Sequence, residues 1–244
     1  MLMIILTGIG LTTTAQAGGP ESGFFIGGGA NLQWVSGNGS WSTYEFDISQ
    51  PLSNEENDPI GFAWTDKMLL GVKPVVGYKI NGSLALQVGY GMNIPKPSNQ
   101  SYSESNGLVF YQQGLNMEWE QRNLEILGIL YPDSDINYYF FGGLDLVNVK
   151  TKISIFESAE FPDEFGNTII GGEVDEQNDT ITATGFILGT GLEFVSEDKR
   201  RVAYLSVQYS RSLTNDAFFG TEDFKVDLGG FTLMGGIKWY PFHR

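Results

Sequence analysis

The chain has 244 residues, no cysteine, one histidine and a formal net charge of −15. The lack of cysteine excludes disulfides, zinc–thiolate sites and iron–sulfur clusters. The 29 acidic residues against 14 basic ones argue against nucleic acid as a partner. A hydrophobic content of 41% is too high for a disordered chain and too low for a bundle of membrane helices.

Residues 1–17 form the one long apolar stretch and predict a secretory signal peptide, followed by a single domain over residues 18–244. Ala15-Gln16-Ala17 has the small-x-small pattern that precedes a signal-peptidase cleavage site. Signal peptides ordinarily begin with a basic residue, whereas the first basic residue here is Lys67. Two alternatives therefore stay open: the true start lies upstream of Met1, or the segment is a membrane anchor.

Beyond Gly18, apolar residues alternate with small or polar residues in runs of about ten, which is typical of β-strands with two different faces. In the clearest run, Leu84, Leu86 and Val88 share one face and Gln87 and Gly89 the other. Eight runs follow in chain order, at about 24–34, 70–80, 84–92, 117–131, 138–146, 186–194, 203–209 and 231–239. In the fourth, Met117 and Trp119 share a face with Leu124, Ile126 and Leu130 only if a β-bulge near Gln121 shifts the register.

The connections alternate between long and short. The short ones are Asn81-Gly82, 132–137 and 196–201, and the long ones are about 36–67, 94–116, 155–179 and 213–226. Asn-Gly between alternating apolar residues is a strong hairpin signal, because both central residues of a type I′ turn need positive φ. The predicted fold is all-β: an eight-stranded antiparallel up-and-down barrel with three short turns at one end and four long loops at the other.

The composition of the two strand faces predicts which side of the barrel contacts lipid rather than water. A soluble barrel would expose a charged face to water, but the faces opposite the apolar ones carry mainly Gly, Ser, Ala, Asn and Gln. Small uncharged residues suit the narrow interior of an eight-stranded barrel, so the apolar face must contact lipid. We therefore expect two lipid-facing aromatic girdles, with Phe24, Tyr78, Tyr138 and Trp239 at the short-turn end and Trp34, Trp119 and Tyr209 at the other.

Taken together, the chain resembles the small eight-stranded outer-membrane β-barrel proteins, the group of OmpX, OmpW and the OmpA transmembrane domain. The signal segment, the strand count, the loop alternation and a last strand that ends in the aromatic Phe242 carry this resemblance. It implies a place in the bacterial outer membrane, contact with outer-membrane lipids and lipopolysaccharide, and recognition of the C-terminal strand by the barrel-assembly machinery. Pro241, His243 and Arg244 depart from the usual pattern of that strand.

The resemblance implies an envelope-structural or surface-interaction role, and the OmpW-like relatives leave open a narrow channel for small or apolar solutes. We expect no catalysis and no cofactor. We expect the lone histidine, His243, to follow the last strand at the periplasmic end, away from the outer rim where barrel enzymes of this kind place theirs. Eight acids in 155–179 leave weak binding of Ca²⁺ or Mg²⁺ as an option without defined ligands.

Charged residues also fall on the face that should point inward. Strand parity directs six of them into the barrel interior: Lys73, Lys79, Glu125, Asp145, Glu193 and Lys238. Isolated charges there would be costly, so they either pair as a polar plug or line a narrow conduction path. Apolar residues between the acids of 155–179 would extend the neighbouring strands past the membrane, as a hairpin suited to adhesion or strand addition.

Overall fold

The computed structural model describes residues 20–35, 39–42, 61–64, 67–94, 98–105, 110–132, 137–162, 168–212 and 229–243, and the predicted signal peptide lies outside these ranges. It contains β1 (Gly23–Val35), β2 (Gly39–Ser42), β3 (Gly61–Trp64), β4 (Lys67–Asn81), β5 (Leu84–Asn93), β6 (Ser98–Ser105), β7 (Phe110–Leu130), β8 (Tyr138–Pro162), β9 (Thr168–Val195), β10 (Arg201–Ser212) and β11 (Gly230–His243). The described residues form no helix that could span a bilayer.

Eight of the strands close into an antiparallel barrel. Their order is β5-β4-β1-β11-β10-β9-β8-β7, and pairing of β5 with β7 completes the ring. The hydrogen-bonded register, followed once around from Phe231, returns to the same strand at Phe242, so the strands are staggered and tilt against the barrel axis. The predicted eight-stranded up-and-down barrel is confirmed.

Two of the short connections are tight turns held by their own side chains. At the β4–β5 turn, the Asn81 side-chain carbonyl accepts hydrogen bonds from the backbone N–H groups of Ser83 and Leu84, both at 2.9 Å. The expected type I′ geometry is wrong, because neither Asn81 nor Gly82 has a positive φ. At the β9–β10 turn, the Ser196 hydroxyl bonds the backbone of Arg201, and Lys199 has a φ of 55°. The third connection, 132–137, is described only at its two ends.

The long connections contain much strand. The expected extension of the neighbouring strands through 155–179 as a hairpin is confirmed, because β8 and β9 stay paired up to Pro162 and Thr168. Strand β6 pairs with the upper part of β7, and β2 pairs with β3 outside the barrel. Of the expected loop 213–226 nothing is described.

The predicted bulge near Gln121 is wrong. Strand β7 pairs with β8 in one unbroken register from Phe110 to Leu130. Alternation therefore continues through Gln121, with odd-numbered residues buried and even-numbered residues such as Leu124 and Ile126 exposed. Trp119 consequently lies on the inward face, opposite to the face of Leu124.

The apolar residues lie on the outside of the barrel. On β5, exposure alternates at every residue, and Leu86 is 55% exposed while Gln87 is 9% exposed. Phe24 and Trp34, at the two ends of the apolar stretch of β1, are about ten residues apart, which is about 33 Å of strand. At a tilt of about 45° this spans roughly 23 Å, close to the apolar band of a transmembrane barrel.

The outward face changes from apolar to polar at one level of the long strands. Leu124 gives way to Arg122 on β7, Leu146 to Asn148 on β8, Phe186 to Thr184 on β9, and Tyr209 to Arg211 on β10. Such a switch marks the edge of the hydrocarbon layer, since exposed charged groups are costly within lipid. The parts of β7, β8 and β9 beyond this level lie outside the membrane.

Candidate functional site: the filled interior and the protruding strands

The interior side chains form layers along the barrel axis. On the inward face of β7, from the loop end to the turn end, come Trp119, Gln121, Asn123, Glu125, Leu127 and Ile129, and all six are buried. Going from the loop end to the turn end, the side chains that other strands place around this column are first apolar, then amides, then charged, and finally aromatic. The interior can therefore be described layer by layer.

The turn-end layer is built around the ammonium group of Lys238. Its Nζ donates to Glu193 Oε1 at 2.7 Å. The same Nζ lies 5.1–5.2 Å from the ring centres of Phe25, Tyr139 and Tyr204, so three aromatic faces surround the cation. The hydroxyl of Tyr131 donates to Glu193 Oε1 at 3.0 Å. The aromatic rings and the Lys238–Glu193 ion pair together fill this layer.

A second buried cation, Lys79, contacts the Tyr131 ring of the turn-end layer. Lys79 Nζ lies 4.2 Å from the ring centre of Tyr131, and the Lys79 side chain is buried. Tyr240 packs against Phe25 with ring centres 5.2 Å apart. The aromatic rings thus occupy the space that a pore would need at this end.

The middle layer is a three-membered polar cluster. Lys73 Nζ donates to Glu125 Oε1, and Gln208 Nε2 donates to the same oxygen at 3.2 Å. Gln208 Oε1 accepts from Lys73 Nζ at 3.5 Å. A cavity of about 20 Å³ lies beside this cluster, between Lys73, Glu125, Tyr204, Lys238 and their neighbours, and has room for about one water molecule. At this level the barrel is filled.

A second carboxylate faces the middle layer and forms no ion pair with a described residue. Asp145 pairs directly across from Glu125 in the β7–β8 register, and Asn123 Nδ2 donates to Asp145 Oδ2 at 3.3 Å. Among the residues that the structure describes, the buried interior holds three lysines and three acids, the six residues predicted from strand parity. Their formal charges cancel, which limits the cost of burying them.

The loop-end layers pass from amides to apolar groups. Gln33 accepts hydrogen bonds from Asn93 at 3.0 Å and Gln121 at 3.3 Å, and Gln121 also donates to Asn123 at 3.1 Å. Buried apolar side chains stand beside the amides: Leu69 pairs with Gln33, Val149 with Gln121 and Val147 with Asn123. Trp119, the next inward residue of β7 toward the loop end, is also buried.

The predicted girdle residues are placed on the outward face with one exception. Phe24, Trp34, Tyr78, Tyr209 and Trp239 are exposed, and Tyr138 is partly exposed. Trp119 is 1% exposed and belongs to the interior, because the bulge that would have turned it outward does not exist. Phe231, which contacts Tyr209 at 5.2 Å and pairs with Trp34, stands in the loop-end girdle instead.

The second candidate site is the part of β8 and β9 beyond the membrane. About 16 residues of each strand extend past Leu146 and Phe186, which is roughly 50 Å of strand length. Lys152 forms an ion pair with Glu176 at 3.0 Å, and this hydrogen bond raises the pKa of Lys152. Asn148 donates to Thr182 at 2.9 Å across the same pair of strands.

One side of this hairpin has no neighbouring strand among the residues that the structure describes. Strand β10 pairs with β9 only from Gly185 onward, so Thr168–Thr184 has β8 alone as its partner. The Thr180 N–H bonds the carboxylate of Asp179 at 2.7 Å. The Thr180 N–H therefore points away from β8. Because successive residues of a strand point their N–H groups to alternate sides, the N–H groups of the other even-numbered residues in Thr168–Thr184 also point away from β8.

Sequence reasoning missed the amide and tyrosine members of the interior. Gln33, Gln208, Asn31, Asn93 and Tyr131 stand at inward positions, but only charged residues were singled out there. The signal was available, because the same parity that placed the lysines and acids places these side chains. What parity does not give is which strands bring Lys73, Glu125 and Gln208 together.

Comparisons with known proteins give structural similarity without a family. No protein-family model and no curated protein matches the chain. Similar solved structures include Ail of Yersinia pestis in complex with the heparin analogue sucrose octasulfate (16% identity, TM-score 0.42, 90% of this chain and 99% of that chain). Others are Neisserial surface protein A (12%, 0.42, 89% and 96%) and the outer membrane protein OprG of Pseudomonas aeruginosa (12%, 0.44, 94% and 99%).

These TM-scores are too low to carry an inference, so the class of the protein follows from its own geometry. A closed barrel with an even number of strands, an outward apolar belt and two aromatic girdles is the architecture of bacterial outer-membrane proteins. The chain is a small eight-stranded outer-membrane β-barrel protein.

Proposed function

We propose that the protein is a surface-interaction protein whose barrel anchors an exposed β-edge outside the outer membrane. The observation that carries this proposal is the stretch Thr168–Thr184, which no described strand covers on its outer side. An uncovered strand edge offers a row of backbone donors and acceptors to an extended segment of another protein. We assign no catalytic residue, and the barrel has an envelope-structural role as the anchor of this edge.

Charge indicates the kind of partner. The edge stretch contains Glu173, Asp175, Glu176 and Asp179 and no lysine or arginine. Backbone pairing along this edge would therefore be reinforced by basic side chains on the added strand and weakened by acidic ones. The proposed partner is an extended basic peptide segment.

Binding to the edge is tested with a nine-residue peptide of alternating lysine and valine, titrated onto the detergent-solubilised protein by calorimetry. Asn178→Pro removes one N–H from the free edge, whereas Asn178→Ala keeps it. We expect binding by the wild type and by Asn178→Ala, and at least fivefold weaker binding by Asn178→Pro. Equal binding by both variants, or tighter binding of an alternating glutamate–valine peptide, would contradict the proposal.

A closed barrel is part of the same proposal. It is supported by the aromatic layer around Lys238 and by the cluster of Lys73, Glu125 and Gln208, with space for about one water beside it. In planar bilayers we expect no reproducible conductance step from the wild type. A regular step that Lys73→Ala or Glu125→Ala abolishes would instead favour the narrow channel.

Two further partners belong to the proposal. The last strand, β11, closes the barrel against β1 and ends near the aromatic Phe242, which is 80% exposed and available to the barrel-assembly machinery. Lipopolysaccharide would surround the outer part of the apolar belt. Weak binding of Ca²⁺ or Mg²⁺ by the acidic segment 155–179 stays a proposal without assigned ligands.

A further inference from the structure

Three consecutive basic residues lie at the turn end of the barrel, Lys199, Arg200 and Arg201. All three side chains are exposed. They are the only exposed lysines or arginines at this end within the described ranges, since Lys79 and Lys238 are buried in the interior. In a chain of net charge −15, these three cations outnumber the two acids of the same turn, Glu197 and Asp198.

The turn holds these side chains beside the lipid-facing aromatic ring. Arg201 pairs with Trp239 in the β10–β11 register, and Trp239 is 47% exposed on the outward face. The backbone carbonyl of Arg200 accepts from the Tyr240 N–H at 2.7 Å, which ties the turn to β11. The guanidinium group of Arg201 is therefore presented at the level where lipid headgroups begin.

Asp198, one of the two acids of this turn, leaves Arg201 largely available. Asp198 accepts hydrogen bonds from the Ser196 hydroxyl at 2.5 Å and from the Arg200 N–H at 3.1 Å. Its separation from the Arg201 guanidinium is 3.8 Å, and both side chains are about half exposed. An exposed pair at that distance contributes little, so Arg201 stays available to another anion.

We propose that the β9–β10 turn binds the phosphate group of an anionic phospholipid in the inner leaflet of the outer membrane, with Arg201 beside the headgroup and Lys199 and Arg200 adding charge. Basic side chains next to a membrane surface attract anionic lipids, and each changes the affinity by about fivefold. Trp239 on the neighbouring strand packs against the upper acyl chain. This site is independent of the β-edge proposed above, because it lies at the opposite end of the barrel.

Native mass spectrometry of the full-length protein in non-ionic detergent, titrated with phosphatidylglycerol or phosphatidylcholine, tests the site. We expect the wild type to prefer phosphatidylglycerol, and K199Q/R200Q/R201Q to lose that preference. The matched control R122Q/K150Q/K152Q removes the same charge at the other end and should keep it. Unchanged preference in the first variant, equal loss in the control, or no preference in the wild type would overturn the proposal.

Discussion

Replacing Glu125 with leucine is expected to destabilise the barrel by roughly 3–5 kcal/mol, because it leaves the ammonium group of Lys73 buried without its anion. Lys73 and Glu125 are 3% and 1% exposed, so solvent cannot replace the lost partner. Gln208 would lose the oxygen to which its amide donates. Urea unfolding in lipid vesicles, followed by tryptophan fluorescence, measures the change.

Two matched variants separate the ion pair from the rest of the layer. Lys73→Met combined with Glu125→Leu should recover most of the lost stability, since no unpaired charge remains. Asp145→Asn changes the carboxylate directly opposite Glu125, which forms no ion pair with a described residue, and should be close to neutral. A cost below about 1 kcal/mol for Glu125→Leu, or no recovery in the double variant, would show that this cluster does not hold the interior together.

Gly77→Ala is expected to cost about 3 kcal/mol or more, or to prevent folding, because the strands leave no room for a side chain there. A Cβ at this position would lie 2.3 Å from Cζ of Phe25 and 2.4 Å from the backbone oxygen of Leu86. The ring could shift only by disturbing the contacts of Phe25 with Tyr240. The backbone oxygen could move only with strand β5 itself.

A glycine on the adjacent strand provides the control. A Cβ at Gly89 would meet Cδ of Lys73 at 3.4 Å and Cγ1 of Val75 at 3.5 Å, which are ordinary contacts. Gly89→Ala should therefore fold normally and change stability by less than about 1 kcal/mol. The two variants are compared by the shift in electrophoretic mobility on heating and by urea unfolding. Similar behaviour of both would contradict the packing described for the turn-end layer.

The barrel itself could be predicted from the sequence because strand period and turn chemistry are local properties. Alternation along 84–92, the Asn81-Gly82 turn and the alternation of loop lengths each report on a few neighbouring residues, and together they specify strand number and order. The same parity placed Lys73 and Glu125 in the interior. The local pattern failed at Trp119, where an inward and an outward side chain both fitted the alternation. Only the unbroken pairing of β7 with β8 decides between the two.

The composition of the interior layers could not be predicted, because it depends on the stagger of the strands. Lys238 reaches Glu193 from two strands away, and Gln208 reaches Glu125 from three strands away around the barrel. The sequence alone does not show by how many residues neighbouring strands are staggered. The position at which β10 stops pairing with β9 among the described residues, Gly185, could likewise not be predicted.

The most direct test of the whole account is a scan of spin labels along β5, from Leu84 to Asn93. The chain contains no cysteine, so single cysteine substitutions give uniquely labelled proteins. In lipid vesicles, labels at even positions such as Leu86→Cys should be accessible to oxygen dissolved in the bilayer. Labels at odd positions such as Gln87→Cys should be inaccessible to oxygen and to a water-soluble relaxation agent alike. The reverse alternation, or none, would contradict a lipid-facing apolar surface around a filled polar interior.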